Sequence, residues 1–118
     1  MATTEEAVRS FDLAVDTVRE LNQALHASED FRPTHPRVVV RNPGGRHAVA
    51  VGLDASYEVE IEGHVGYYCA GMNKSAVVRV RGNCGVGVAE NMMSGTVIVE
   101  GSASQSAGAS ARGGLLVI

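Results

Sequence analysis

Two cysteines, four histidines and 14 glycines are the side chains and turns of this chain with the chemistry to hold a metal, attack a carbonyl or cradle a phosphate. Cys69 and Cys84 are candidates for metal ligation or nucleophilic attack, since a thiolate does both. Gly82-Asn-Cys-Gly85-Val-Gly87 offers closely spaced backbone N–H groups, as phosphate loops do. The continuation Val88-Ala-Glu90 lacks the third glycine of the dinucleotide fingerprint, no helical pattern follows, and neither Gly-Lys-Ser nor Gly-Lys-Thr occurs. His26, His35, His47 and His64 show no metal-ligand spacing. No Ser, His and acid arrangement and no paired-carboxylate motif can be picked out.

The segments that must position these residues explain them better. From Tyr57 onward the chain repeats at an interval of 19 residues: Val59-Glu-Ile-Glu-Gly63, Val78-Arg-Val-Arg-Gly82 and Val97-Ile-Val-Glu-Gly101 superimpose without gaps. A fourth copy starts at Leu116-Val-Ile118. A fixed period near 20 means stacked units. Each unit has a strand alternating apolar and polar residues, then a Gly-rich stretch without helical pattern, which fits one coil of a parallel β-helix. The Leu and Asn signature of a leucine-rich repeat is missing. The expected fold is therefore all-β, a single-stranded, right-handed parallel β-helix, the hand extended by analogy from parallel crossovers.

In such a stack the columns assign roles. Gly63, Gly82 and Gly101 share one column, Gly66 and Gly85 share a second with Ser104, and Gly108 shares a third with Ala70 and Ala89. These are structural turn positions, where corners allow only tiny side chains and some need positive φ. Cys69 stands in a column with Val88 and Ala107, and Cys84 in one with Val65 and Ala103, so both read as small buried hydrophobes. Glu62, Arg81 and Glu100 occupy one outward register and Glu60 and Arg79 another; alternating sign makes an in-register stack favourable. Ile98 replaces the expected acid and is an exposed apolar residue facing a partner. His64 heads an outward column with Asn83 and Ser102, a solvated corner. Tyr67, Tyr68 and Met72 form either an interface patch or the cover of the first coil, and Met92 with Met93 is open in the same way.

Three regions follow. Residues 1–10 are polar and expected to be unstructured. Residues 11–36 hold a short docking strand, Phe11 to Val15, and then a helix from Val18 to about Ala27, opened by the capping box Thr17-Val-Arg-Glu20 and broken by Arg32-Pro-Thr-His-Pro36. Val18, Leu21 and Leu25 make one apolar stripe, so the helix must lie on something; were the chain a well-folded monomer, the helix would be the cover for the unpaired edge of the last strand, with Leu21 and Leu25 against the stack. Residues 37–118 are the β-helix domain, with a strand at Arg37–Arg41, a turn at Asn42-Pro-Gly-Gly45 and an apolar run from Ala48 to Leu53. Net charge is -3 with scattered Lys and Arg, which excludes an electrostatic footprint for nucleic acid. No apolar run reaches membrane-spanning length, and the N-terminus has no secretory signal. Two cysteines in that setting indicate a reducing, cytoplasmic location. A stack of little more than three such coils with an apolar last strand is expected to be oligomeric.

Asn42-Pro-Gly-Gly45, Glu60-Ile-Glu-Gly-His-Val-Gly-Tyr-Tyr-Cys-Ala-Gly-Met72, Gly87-Val-Ala-Glu-Asn-Met-Met-Ser-Gly95 and Ala103-Ser-Gln-Ser-Ala-Gly-Ala109 closely resemble the glutamate-synthase C-terminal β-helix family, named for its G-x-x-G-x-x-x-G repeat. The resemblance is nearest to the small-subunit branch of the N-methylglutamate synthases (methylamine–glutamate N-methyltransferases) and their glutamate-synthase-like relatives. One subunit of the formylmethanofuran dehydrogenases is a more distant relative. The resemblance covers roughly Arg37 to Ile118, with Arg19 to Leu25 similar to the family's front end. Two departures stand out: Ala70, Ala89 and Ser104 replace repeat glycines, and family members continue through more coils, so the chain is a truncated form or a short relative. The resemblance implies a division of labour. A glutaminase-like partner handles amide nitrogen, a partner carrying FMN and an iron–sulfur cluster forms the new C–N bond, and the β-helix binds no cofactor or metal, carries no catalytic residue and bridges the two. The competing readings are a stand-alone structural or adhesive solenoid, a component of a formylmethanofuran-dehydrogenase-like complex, and a β-helix acyltransferase; the last is built on an 18-residue period that the present interval does not match.

Overall fold

The computed structural model describes residues 8–26 and 37–118. The expected break at Arg32–Pro36 and residues 1–7 of the segment expected to be unstructured lie outside those residues. Among the described residues six strands follow in chain order, β1 (Val8–Asp12), β2 (Arg37–Arg41), β3 (Glu58–Glu62), β4 (Val77–Val80), β5 (Thr96–Val99) and β6 (Leu115–Val117), with one helix, α1 (Val18–His26), between the first two. They form a single sheet in the order β1-β2-β3-β4-β5-β6, every pair parallel. Sequential strands paired in parallel leave each connection to travel round the coil and return one layer further on. The fold is a parallel β-helix.

Register is set by the apolar alternation. Val59 pairs with Val78, Val78 with Val97 and Val97 with Leu116, and Ile61 pairs with Val80 and Val80 with Val99. Side chains alternate between the faces of a strand, so these residues point inward together; Val59, Ile61, Val78, Val80, Val97 and Val99 are all buried. A slip of one residue would turn every one of them to water. The connections stack as well. Ala70 N–H donates to the Val49 carbonyl at 3.0 Å, Ala89 N–H to the Cys69 carbonyl and Gly108 N–H to the Val88 carbonyl, both at 2.8 Å. Backbone groups of the arches are thus satisfied by the neighbouring coil, as burial demands.

Two expectations about the N-terminal region need correction. The first strand runs from Val8, inside the stretch expected to be unstructured, and ends at Asp12; Leu13 is buried beyond it and Val15 is exposed in a turn. It is no separate docking element, because it pairs along its whole length with β2 in the common sheet. The capping box does form: Glu20 N–H donates to Thr17 Oγ1 at 3.0 Å, and Thr17 N–H donates to Glu20 Oε1 at 2.8 Å. The helix buries Leu21 and Leu25, yet it lies at the opposite end from the last strand. Its partners are in the coil that follows β2: Asn22 Nδ2 donates to the Ala48 carbonyl at 2.9 Å, and Tyr57 Oη donates to the Leu25 carbonyl at 2.7 Å. The helix belongs there because it is inserted between β1 and β2, and short connections leave it no reach to β6.

Candidate functional site

The reactive side chains are drawn into the framework one by one. Cys69 is fully buried and Cys84 nearly so, both as free thiols. Burial pushes the Cys69 thiol far up, with a smaller contribution from Cys84, and burial pushes Cys84 up to about 11. Both therefore stay protonated near neutrality, the form that neither attacks carbonyls nor binds metal. Their columns explain the burial: the Cys84 backbone bridges Val65 on one side and Ala103 on the other.

The described histidines are engaged with the backbone. His26 Nε2 lies 3.0 Å from the Val51 carbonyl and so carries the donated proton. His47 Nδ1 accepts the Tyr67 N–H at 2.8 Å, and His64 Nδ1 accepts the Asn83 N–H at 2.9 Å. A ring that accepts at Nδ1 while neutral carries its proton on Nε2, so neither nitrogen of His47 or His64 offers a free lone pair to a metal. His35 lies outside the described residues. Among the described residues no three of His, Cys, Asp and Glu converge in a metal-holding group.

At the repeat corners Gly66, Gly82, Gly85 and Gly101 act through space rather than through φ. Gly82 has no left-handed backbone, but a Cβ there would sit 2.5 Å from the Gly63 carbonyl oxygen and 2.6 Å from its carbon. Gly85 is pressed in the same way against Gly66, at 2.8 Å, and Gly66 and Gly101 against His47 and Asn83 of the preceding coil. Gly63 and Gly108 do have positive φ, 143° and 69°. The arches beyond are where left-handed backbone concentrates, and mostly not on glycine. Ala48, Ala50 and Gly52 take positive φ at alternate residues, as do Tyr68, Ala70 and Met72, then Gly87, Ala89 and Asn91, then Ser106, Gly108 and Ser110. Nothing in the residue types of Tyr68 or Met72 announces this. The signal available was their position opposite Gly87 and Asn91.

The outward sheet face carries the ion pairs, with a change from the expected pattern. Glu60 stands opposite Arg79 as read, and the structure adds Arg41 opposite Glu62. The shortest contacts run diagonally: Arg81 Nε to Glu60 Oε2 at 2.7 Å and Arg79 Nη1 to Glu100 Oε2 at 2.8 Å. Arg81 also reaches Glu100 within its column at 3.5 Å, and Arg41 reaches Glu62 at 3.3 Å. An arginine stem is long enough to reach the diagonal neighbour, and doing so lets one guanidinium serve two carboxylates.

Of the residues expected at an interface, Tyr67, Met72 and Met93 are exposed, Tyr68 and Ile98 are half-buried, and Met92 is core. Met92 falls in the interior column of Leu53 and Asn73, all three buried, so it cannot meet a partner. Tyr67 stacks on His47 with ring centroids 4.1 Å apart, and Tyr68 Oη accepts from Asn91 Nδ2 at 3.0 Å. The residue missed is Val77, which with Ile98 and with Leu115 and Val117 of the apolar last strand forms an outward apolar strip: Val77 pairs with Thr96 and Thr96 with Leu115, Ile98 with Val117. Val77 was legible, since it precedes an inward valine and shares the column of Glu58. Two depressions lie nearby, one of about 350 Å³ lined by Asp54, Ala55, Ser56, Tyr57 and Ser75, the other of about 260 Å³ among Arg37, Glu58, Glu60, Arg79 and Arg81.

The arrangement defines a parallel β-helix whose thiols and described imidazoles are spent on its own stack. The chain is similar to protein GlxC of Rhizobium meliloti (strain 1021), 55% identical over 92 residues, which are 75% of this chain and 38% of that protein. It therefore spans well under half the length of this curated relative. No family model matches the sequence, and no solved structure matches it. Among the described residues no helix is long and apolar enough to cross a membrane.

Proposed function

We propose that the chain is a non-catalytic assembly subunit of a glutamate-synthase-like complex, of the N-methylglutamate synthase type, bridging a glutaminase-like subunit and a subunit that carries FMN and an iron–sulfur cluster. The observation that carries the reading is the use made of the reactive groups: two buried, protonated thiols and imidazoles tied to backbone amides leave a rigid framework with outward faces. The repeat words that resemble the glutamate-synthase β-helix lie in that framework, and the similarity to GlxC supports a core shared with a longer protein. The apolar strip of Val77, Ile98, Leu115 and Val117 is the part of the sheet face that the ion pairs leave uncovered, and it suits docking.

Affinity purification of the tagged chain from its native host tests this. A glutaminase-like protein and a flavin- and iron-containing protein should co-purify, while the isolated chain should show neither flavin nor iron–sulfur absorbance. Stoichiometric flavin or iron–sulfur bands in the isolated chain would overturn the scaffold reading.

A further inference from the structure

At one corner of the stack side-chain acceptors join the backbone carbonyls in fastening coil to coil: beside the Val65 N–H bond to the Asn83 carbonyl at 3.0 Å and the Cys84 N–H bond to the Ser102 carbonyl at 2.9 Å run two contacts to side chains. Asn83 N–H reaches down to His64 Nδ1 at 2.9 Å, and Ser102 N–H, one coil on, reaches Asn83 Oδ1 at 2.8 Å. Both contacts join residues 19 apart in sequence, so they are the same fastening in successive coils, made once by an imidazole and once by an amide. One coil earlier His47 Nδ1 does the equivalent work for Tyr67 N–H at 2.8 Å. An amide oxygen accepts at any ordinary pH. An imidazole accepts only while neutral, because the imidazolium has a hydrogen on each nitrogen and donates from both.

We propose that His47 and His64 make a proton-sensitive clasp between the coils that follow β2, β3 and β4, closed while the rings are neutral and released when they take up a second proton. Both rings are exposed, so the proton has access. The charged and titratable groups of the stacked corners are few. They are Arg46, next to His47 in the chain and within electrostatic reach of Asp12, the Tyr67 phenol stacked on His47, and the buried Cys84 thiol. At the strand ends leading in stand Arg41 and Glu62, paired with each other at 3.3 Å, then Arg81 and Glu100, paired at 3.5 Å. Near the first corner Asn42 Nδ2 donates to Asp12 Oδ1 at 2.9 Å, and that bond, with smaller help from Arg41 and Arg46, holds the Asp12 carboxyl below its usual range. Stacking on Tyr67 remains attractive to a cation, so the His47 ring stays in place and only its contact with the amide is lost.

Amide exchange measured residue by residue on the full chain between pH 8 and pH 5, beside the ring C–H shifts of the histidines, tests the clasp. Protection of the Tyr67 and Asn83 amides, corrected for intrinsic exchange, should fall about three- to tenfold with the midpoints of the two rings. Ser102, held by Asn83, should not change. His64→Asn, which installs the acceptor already used in the next coil, should abolish the pH dependence at Asn83 and leave that at Tyr67. Constant protection at Tyr67 and Asn83 while the rings titrate, or an equal loss at Ser102, would overturn the proposal.

Discussion

The strand side and the arch side of this solenoid are built from the same coils yet obey different rules. On the strand side every second residue faces water, and the outward columns hold arginine, glutamate, threonine, valine and isoleucine in turn. On the arch side the backbone takes positive φ at alternate residues and the interior is lined by small groups: Val49 and Ala50, Cys69 and Ala70, Val88 and Ala89, all fully buried. Extended backbone turns every second side chain out to water, where neighbouring layers can pair whatever charges they carry, whereas tight corners bring backbone onto backbone. The lesson is that composition is free where side chains face outward and restricted where the coil bends.

The sharpest way to break this contrast is Gly82→Val. With the nearest backbone oxygen 2.5 Å from any Cβ, the coil cannot stack without shifting. Stability should fall by about 3 kcal/mol, as overpacking costs, enough to unfold or aggregate a small domain. Gln105→Ala, exposed one coil later, should stay within about 0.5 kcal/mol. Equal melting temperatures for the two variants would show that the corners are not close-packed.

A middle-sized effect separates the sides by alkaline pH. The folded thiols titrate above the ordinary cysteine range because burial disfavours the thiolate, Cys84 near 11. A raised acid binds its proton more tightly folded than unfolded. Stability is then fully present below roughly pH 8.5, the unfolded value, and is lost as pH rises toward 11. Melting curves across that range should fall for the parent and flatten for a Cys69→Ala, Cys84→Ala double variant. A parent curve as flat as the variant's would mean that the thiols are not desolvated.

The smallest effect belongs to the strand side. Arg81→Ala removes contacts to Glu60 and Glu100, but Arg81 and Glu100 are open to water and Glu60 is half-buried. The loss should be slight and should disappear as salt is added, since exposed ion pairs are screened. A large, salt-insensitive loss would show that the ladder orders the sheet rather than decorating it.

The fold was readable because period and alternation coincide. Strands β3 to β6, their parallel pairing and their inward columns follow from one interval in the chain. The coil after β2 hid itself by being longer: Arg41 pairs with Glu62 across 21 residues, so its copy does not superimpose on the others. Strand β1 hid further, because α1 interrupts its coil. The alternation of Arg9, Phe11 and Leu13 is too short to reveal a partner before that partner is in place.

Sequence alone determined what local pattern and repetition can encode: the capping box, the inward valines, the small corner residues and the burial of both cysteines. Tertiary structure decided everything that depends on which coil lies over which. It turned the ion pairs onto the diagonal, put α1 over the early coil, sent Met92 inward and Met93 outward, and gave Tyr68 and Met72 a left-handed backbone without a glycine. The physical reason is that a stacked layer supplies hydrogen-bond partners and steric limits to residues far away in the chain. A residue's own type cannot announce a partner that only the next layer brings within reach.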